Sequence, residues 1–276
     1  MTRFGLLVDM ARCNGCYGCF MACRDEFCGN DYPPYSAAQP CSGHFWMRLV
    51  ERERGSYPKV KTSYFKIPCM HCDDAPCVGQ HPDMVYQRPD GIVIIDPVEA
   101  QGTKEIVESC PYNAIFWNEE KGLAQKCTMC AHLLDQGREV PRCVEVCPTE
   151  ALLFGDFDDP ESEVARRAAK GNAEVLHPEY GLTGGVWFVN MPKRFIAGSL
   201  VFADTDACAS NVLVTLSGSD DKQQVETNGF GDFEFEGLDK DTEYRLRISH
   251  PGYRGKELKV RPQIDRYLGD IMLEKA

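Results

Sequence analysis

Short apolar runs alternate with cysteine-rich turns along the first 155 residues of the chain. Runs of this length with β-branched residues are typical of strands rather than helices. The pattern therefore predicts strands at Phe4–Met10, Tyr64–Ile67, Gly91–Asp96, Ala114–Trp117 and Ala151–Phe154. The last two strands each follow a Cys-Pro dipeptide, which redirects the chain.

The pattern changes after residue 155. An acidic turn, Asp156–Pro160, precedes a short helical segment, Glu161–Lys170, and we expect residues 156–194 to be a linker. From residue 195, short segments of alternating polarity are separated by turn residues. They predict strands at Ser199–Ala203, Asn211–Leu216, Gln223–Thr227, Asp232–Glu236, Glu243–Ser249, Lys256–Val260 and Ile271–Glu274. Seven strands at this spacing indicate a small all-β sandwich or barrel over residues 195–276.

One polar stretch near the first cysteines carries no strand pattern. Residues 28–43 are rich in proline, tyrosine and glycine, which predicts a loop insertion. The longer stretch 28–60 is a proline-rich loop in this interpretation. Together with the β tail, it is a candidate for contact with a partner protein.

Composition narrows the choice of partner and compartment. The chain of 276 residues has a formal net charge of −12, which argues against nucleic acid and membrane surfaces as partners, because both attract lysine and arginine. No run of about 18 apolar residues predicts a transmembrane helix. A cysteine motif follows the first residues closely and leaves no room for a signal peptide, so we expect a cytoplasmic protein. In that reducing compartment, fifteen cysteines indicate metal ligation rather than disulfides.

Twelve of the fifteen cysteines form motifs with regular spacing. The motifs are Cys13-x2-Cys16-x2-Cys19-x3-Cys23, Cys69-x2-Cys72-x4-Cys77, a single Cys110-Pro111, and Cys127-x2-Cys130-x12-Cys143-x3-Cys147-Pro148. Cysteines at x2 spacing can wrap a loop around one 4Fe–4S cluster, while the cysteine three residues later lies on the following helix. In two-cluster ferredoxins that later cysteine ligates the other cluster.

This crossing rule assigns each of the twelve cysteines to one 4Fe–4S cluster. Cluster A is held by Cys13, Cys16, Cys19 and Cys147; cluster B by Cys23, Cys127, Cys130 and Cys143; cluster C by Cys69, Cys72, Cys77 and Cys110. The sequence therefore predicts an iron-binding carrier of single electrons. No nucleophile–base pair, carboxylate dyad or phosphate loop predicts a catalytic residue within the chain itself.

The same rule predicts a fourth cluster site that has lost its ligands. Its positions are His81, Ala100, Thr103 and Ile106. All four expected cysteines are replaced together, which is the pattern expected of a vacant site. His81 alone cannot hold a cluster and is interpreted as a packed or hydrogen-bonded residue.

Two alternatives concern the cysteines. Cys127 and Cys130 with the later pair Cys143 and Cys147 could form a zinc site, which would make the chain a zinc-stapled binding module. The triple x2 spacing of the first motif fits zinc poorly. The three cysteines outside the motifs are interpreted as ordinary reduced thiols; they are Cys28, Cys41 and Cys208.

The order of the motifs resembles that of the iron–sulfur subunits of the molybdopterin enzyme family that includes dimethyl sulfoxide reductase and formate dehydrogenase. The resemblance implies an α+β fold with two nested bacterial ferredoxin-like domains. Residues 1–59 and 119–155 would form the outer domain with two clusters. Residues 60–118 would form the insert, with one cluster and the vacant site. It also implies a partner, a large catalytic subunit that carries the molybdopterin cofactor.

The tail resembles a transthyretin-like or carboxypeptidase-regulatory-like domain, through Gly198-x-Leu200-x-Phe202, Gly231-x-Phe233-x-Phe235 and Tyr244-x-Leu246. Three clusters joined to such a tail are similar to the small subunits of molybdenum transhydroxylases. That resemblance implies a large subunit that transfers hydroxyl groups between polyhydroxylated benzenes, from pyrogallol to phloroglucinol. The alternative within the family is an oxidoreductase component that passes electrons to a quinone or a cytochrome.

Overall fold

Short helices and many strands make up the computed structural model, which describes residues 2–218 and 222–276. The helices are α1 Gly18–Phe27, α2 Pro76–Gln80, α3 Ala131–Leu134, α4 Arg142–Glu145 and α5 Glu163–Lys170, with 3₁₀ turns at Lys104–Ser109 and Pro178–Tyr180. The strands are β1 Phe4–Asp9, β2 Arg48–Ser56, β3 Lys59–Ile67, β4 Val85–Gln87, β5 Val93–Ile95, β6 Phe116–Asn118, β7 Leu123–Gln125, β8 Leu152–Asp156, β9 Val186–Val189, β10 Arg194–Phe202, β11 Ala207–Cys208, β12 Leu213–Ser217, β13 Lys222–Glu226, β14 Asp232–Leu238, β15 Tyr244–Ser249, β16 Lys256–Val260 and β17 Arg266–Leu273.

The first of two units comprises Met1–Arg52 and Ser63–Met191. Its main sheet has the order β8-β1-β9, in which β1 runs antiparallel to β8 and parallel to β9. The central strand is buried on both faces: Leu6 and Val8 pack in the large core, and Leu7 packs on the opposite face in a smaller cluster with Val164. Paired strands β4–β5 and β6–β7 are small hairpins between the cysteine motifs.

Two segments of the chain differ from the sequence prediction. Residues 156–194, expected to be a linker, contain α5, which matches the predicted helical segment Glu161–Lys170, and also β9, which was not predicted. Strand β9 was missed because its four residues are too few for a periodic signal, and it exists through its pairing with β1. The predicted loop 28–60 contains β2, which pairs with β3. Its charged sequence RLVERERGS has low β-propensity, and the pairing overrides it.

The second unit comprises Glu53–Thr62 and Pro192–Ala276. One four-stranded sheet has the order β11-β10-β14, with β17 parallel to β10 on the other side, and the second has the order β13-β12-β15-β16. Side chains from both sheets share one apolar core, which includes Leu200, Phe235, Leu216, Leu246 and Ile271. The tail is therefore a β-sandwich, and all seven strands predicted for it are present.

A buried carboxylate joins the two parts of the second unit. The side chain of Asp265 is 2% exposed and accepts a hydrogen bond from the Nη1 of Arg54 at 3.1 Å. It also accepts the backbone N–H of Phe195 at 3.0 Å. A buried charge is tolerated when it is paired and hydrogen-bonded in this way, so the tip of the β2–β3 hairpin is fixed to the sandwich.

Candidate metal centres

Helix α1 carries two of the predicted ligands on its buried face. Cys19 and Cys23 are buried together with Ala22 and Phe27. Residues four apart lie on the same face of a helix, about one turn apart. The x3 spacing therefore separates the two thiols along the helix axis by about 6 Å, which is suited to ligation of two different clusters.

Cys19 lies among the thiols assigned to cluster A. Burial raises its pKa to about 11, and the neighbouring thiols of Cys13 and Cys147 add to that rise. Cys147 is thus brought close to the first motif although more than a hundred residues separate them in the chain. Cys16 is the exposed member of the set.

Cys23 lies instead among the thiols assigned to cluster B. Burial raises its pKa well above the ordinary value, and Cys127 and Cys130 are the next largest causes. Burial likewise raises the pKa of Cys143, and the neighbouring thiols that add to the rise are, in order, Cys130, Cys127, Cys23 and Cys19. Cys23 therefore lies near thiols of the fourth motif, and Cys19 lies near Cys13 and Cys147. Which four thiolates share each cluster stays a prediction.

The thiols assigned to cluster C surround a small apolar cavity. Its walls include Cys69, Cys72, Cys77 and Cys110. Apolar side chains complete the lining, among them Met70 and Ile115, as well as the single cation Lys126. Four thiols converging on one apolar cavity match the donor set and the shielding that a 4Fe–4S cluster requires.

The backbone of the three x2 loops has a common conformation. The residue two positions after the first cysteine has a left-handed φ in each loop: Gly15 at +72°, His71 at +45° and Met129 at +51°. In two of the loops the backbone N–H of this left-handed residue donates a hydrogen bond to the first thiol. His71 donates to Cys69 and Met129 donates to Cys127, each at 3.4 Å. Such N–H···S bonds stabilise negative charge on the sulfur.

Burial controls the protonation of most of these thiols. It raises the pKa of Cys127 to about 11 and that of Cys72 to about 12, because the thiolate is desolvated. Cys147 differs: burial raises its pKa, but the Leu152 N–H and the Thr149 hydroxyl contribute to a larger stabilisation of its thiolate, so its pKa lies below the ordinary value. Ligands bind iron as thiolates, so cluster binding displaces protons from the buried sites.

Within residues 2–218 and 222–276, no three His, Cys, Asp or Glu side chains converge tightly enough to hold a single metal ion. Thiolates around one tetrahedral zinc ion lie roughly 3.8 Å apart, given a Zn–S bond of about 2.3 Å. A four-iron core is larger and keeps its ligands farther apart than a single zinc ion does.

The four positions predicted for the vacant site carry buried or half-buried side chains. Ala100 and Ile106 are fully buried in the core of the first unit, and Thr103 and His81 are half-buried. Gly102 occupies the loop position equivalent to Gly15 and has a similar φ, +78°. The loop thus has the same left-handed turn as the first cysteine loop, and the vacant site stays a prediction.

A carboxylate that the sequence analysis missed joins the helices around cluster B. Glu26 on α1 accepts a hydrogen bond from the Nε2 of His132 on α3 at 2.9 Å. Its other oxygen lies 3.2 Å from the Nε of Arg142 on α4. Burial raises the pKa of Glu26, but these partners lower it more, so its pKa lies below the ordinary 4.5. No spacing signal marks this group, since Glu26 lies over a hundred residues from both of its partners.

The three remaining cysteines stay outside the cluster groups. The Sγ atoms of Cys28 and Cys41 lie 3.9 Å apart, and the Nη2 of Arg24 lies 3.7 Å from the Sγ of Cys28. Cys208 is exposed on the second unit. All three are free thiols in the structure.

Comparison with known proteins identifies the chemistry. A family described as "4Fe-4S dicluster domain" matches residues 60–157. The pyrogallol hydroxytransferase small subunit of Pelobacter acidigallici is 42% identical over 260 residues, which cover 91% of this chain and 92% of that protein. This chain belongs to the family of iron–sulfur subunits of molybdopterin enzymes. It is an iron–sulfur electron-transfer subunit, which favours 4Fe–4S clusters over the zinc-stapled module.

Other members of this family match a smaller part of the chain. The putative iron–sulfur subunit of dimethyl sulfoxide reductase from Halobacterium salinarum is 33% identical over 69% of this chain and 80% of its own length. A tetrathionate reductase subunit from Salmonella typhimurium is 34% identical over 70% of this chain and 75% of its own length. In the part of the chain that the structure describes, none of the helices has the length and apolar character of a membrane span.

Proposed function

We propose that this chain holds three 4Fe–4S clusters, A, B and C, and exchanges single electrons with a large subunit that carries the molybdopterin cofactor. The large subunit transfers hydroxyl groups between polyhydroxylated benzenes, from pyrogallol to phloroglucinol. The two subunits form a heterodimer or a higher assembly. In this complex the present chain supplies ligands and shielding, and the catalytic site belongs to its partner.

The observation that carries this proposal is the extent of the match to the pyrogallol hydroxytransferase small subunit. A match that covers 91% of the chain necessarily extends into the β tail, since the tail begins at Pro192. Matches that cover 69% and 70% of the chain do not have to include it. Similarity over both the cluster-binding part and the tail favours the transhydroxylase branch of the family.

The grouping of the thiols supports the twelve ligand assignments. Cys23 lies with Cys127, Cys130 and Cys143, although α1 also carries Cys19 of cluster A. A 4Fe–4S cluster accepts and returns one electron at a time. The chain binds each cluster through four thiolates, surrounds it with apolar side chains, and donates backbone N–H groups to the sulfurs.

The buried side chains at the fourth position support the proposal of a vacant site. Ala100 and Ile106 fill the space from which cysteines would ligate a cluster. We assign the tail a transthyretin-like fold with a role in partner contact or in stability.

Anaerobic purification of the native complex tests the proposal directly. Iron and acid-labile sulfide should each reach roughly twelve atoms per chain, with molybdenum present, and the complex should convert pyrogallol to phloroglucinol. Roughly sixteen irons would show that the fourth site is occupied. Full iron without molybdenum in an intact complex would remove the transhydroxylase assignment and leave the cluster assignments standing.

The second candidate is an iron–sulfur component of a molybdenum oxidoreductase that passes electrons to a quinone or a cytochrome. The similarity to the tetrathionate reductase component from Salmonella typhimurium favours it. Rapid oxidation of the reduced clusters by a quinone analogue, without conversion of pyrogallol, would support this candidate. A cytoplasmic location remains part of the proposal, and cell fractionation with antibodies against the chain tests it.

A further inference from the structure

Two lysines are buried in the first unit without a carboxylate partner. Lys66 and Lys126 are each 2% exposed. Among the residues that the structure describes, neither lies within ion-pair distance of an aspartate or glutamate. A buried ammonium group is costly unless a negative charge or a full set of acceptors compensates it. Such a pair of uncompensated cations therefore calls for an anion that binds beside them.

Lys66 lies near Cys19, one of the thiols assigned to cluster A, and Tyr64 on the same strand packs against Gly15 of that cysteine loop. This strand is β3, and the Nζ of Lys66 has no hydrogen-bond partner among the described residues. Burial raises the pKa of Cys19 to about 11, and the largest opposing effect is the positive charge of Lys66. The ammonium group of Lys66 is thus near the Sγ of Cys19 and has no hydrogen-bond acceptor among the described residues.

Lys126 occupies the equivalent place beside cluster C. It lines the cavity that the four thiols surround. Its Nζ donates to the backbone carbonyls of Val93 and Cys127, which leaves one of its three N–H donors for another acceptor. Its charge opposes the burial that raises the pKa of Cys77 and of Cys110.

We propose that Lys66 and Lys126 are the internal counter-charges of clusters A and C, and that they raise the reduction potentials of these clusters. The inference rests on the proposed function, since it needs the clusters to be bound. Four thiolates give a 4Fe–4S cluster a net negative charge, and reduction adds one more. A fixed cation in the protein interior, where screening is weak, stabilises the reduced form more than the oxidised form.

The alternative for each lysine is a purely structural role, in which its aliphatic stem fills space in the core. Methionine matches that stem in length and lacks the charge, so Lys66→Met and Lys126→Met separate the two roles. Lys104→Met is the matched control, because Lys104 lies in the same unit, is 63% exposed, and pairs with Glu119 at 3.0 Å. Exposed ion pairs of this kind have little effect on buried groups.

The experiment is an anaerobic redox titration of the intact complex followed by electron paramagnetic resonance, with iron and sulfide measured in every variant. Lys66→Met and Lys126→Met should each lower the potential of one cluster, and a different one in each variant. At a fixed ambient potential, the ratio of oxidised to reduced cluster should rise at least tenfold, which for a one-electron couple is about 59 mV. The control should change this ratio by less than twofold.

The outcomes distinguish the two proposals. Variants with full iron and unchanged potentials would overturn the counter-charge role and leave cluster binding intact. Wild-type protein without labile sulfide would overturn the proposed function itself. Because Lys126 also bonds two carbonyls, Lys126→Gln provides a second variant that keeps a donor without the charge. A lowered potential in Lys126→Gln supports the proposal, and an unchanged potential contradicts it.

Discussion

The carboxylate of Glu26 should determine how firmly cluster B is held. It joins α1 to His132 on α3 and to Arg142 on α4, and these helices or their first turns carry three of the four cysteines of cluster B. Glu26→Gln keeps the shape of the side chain but removes its charge. We expect this variant to lose stability in the first unit and to lose iron from cluster B before the other clusters.

The structure allows the size of this effect to be worked out. A hydrogen bond to a charged group contributes about 1.5–3 kcal/mol. The side chain of Glu26 is 13% exposed and that of Arg142 is 25% exposed, so solvent screens the pair only in part. Glutamine keeps one acceptor, so we expect a loss of about 2 kcal/mol in the free energy of unfolding. For a unit of this size the melting temperature should fall by roughly 4–8 °C.

The pH dependence has a definite sign. The pKa of Glu26 in the folded protein lies below the ordinary 4.5, so its stabilising contribution is complete above the unfolded value. That contribution is lost only as the pH falls through the lowered folded pKa. The carboxylate is therefore ionised at neutral pH, where the variant is to be compared with the wild type.

Anaerobic thermal unfolding by circular dichroism, with iron measured before and after mild heating, is the assay. Glu161→Gln is the control, because Glu161 is 86% exposed and lies 3.7 Å from Arg166. Loss of this exposed charge should change the free energy of unfolding by less than about 1 kcal/mol. The reasoning fails if Glu26→Gln has the same melting temperature as the control and keeps all its iron under heating. The carboxylate would then not hold the helices together.

Four further predictions follow from the site and the cores. Cys110→Ser should lower the iron content from roughly twelve to roughly eight per chain and leave clusters A and B detectable by electron paramagnetic resonance; loss of all iron would contradict the grouping. Ile106→Ala should cost about 2–5 kcal/mol in unfolding experiments, because Ile106 is fully buried, with unchanged iron; a gain of iron would contradict a site that simply lacks ligands. Phe235→Ala should destabilise the sandwich by about 3–5 kcal/mol, measured by tryptic digestion of the tail, and unaltered resistance would contradict this. After iron is removed by chelation, reconstitution followed by absorbance should be faster at higher pH, because burial raises the pKa of thiols such as Cys72 to about 12 and ligands bind as thiolates; a rate independent of pH would contradict this.

Local features of the site were predictable from the sequence. The x2 spacing predicted a tight loop, and the structure has loops that turn through one left-handed residue, at Gly15, His71 and Met129. The x3 spacing to Cys23 required a helix, and α1 provides it. These features depend on residues within one or two turns of each other, so spacing alone predicts them. The alternating polarity of the tail likewise predicted its strands.

Other features depend on residues that are distant in the chain. Strand β9 forms because Val186–Val189 pairs with the edge of β1. Strand β2 forms through its pairing with β3, although its charged sequence has a low β-propensity. Neither has a local signal strong enough to predict it. The boundaries of the nested domains remain a prediction, while the contacts divide the chain into two units.

The sequence by itself determined which atoms can bind iron, because a motif places thiols through short-range backbone geometry. Only the tertiary structure decided which charges surround them. Lysine is usually exposed, so nothing in the sequence marks Lys66 and Lys126 as buried, or Glu26 as the partner of a histidine over a hundred residues away. Burial is a property of the whole packed chain, and it is burial that gives a charge its effect on a neighbouring group.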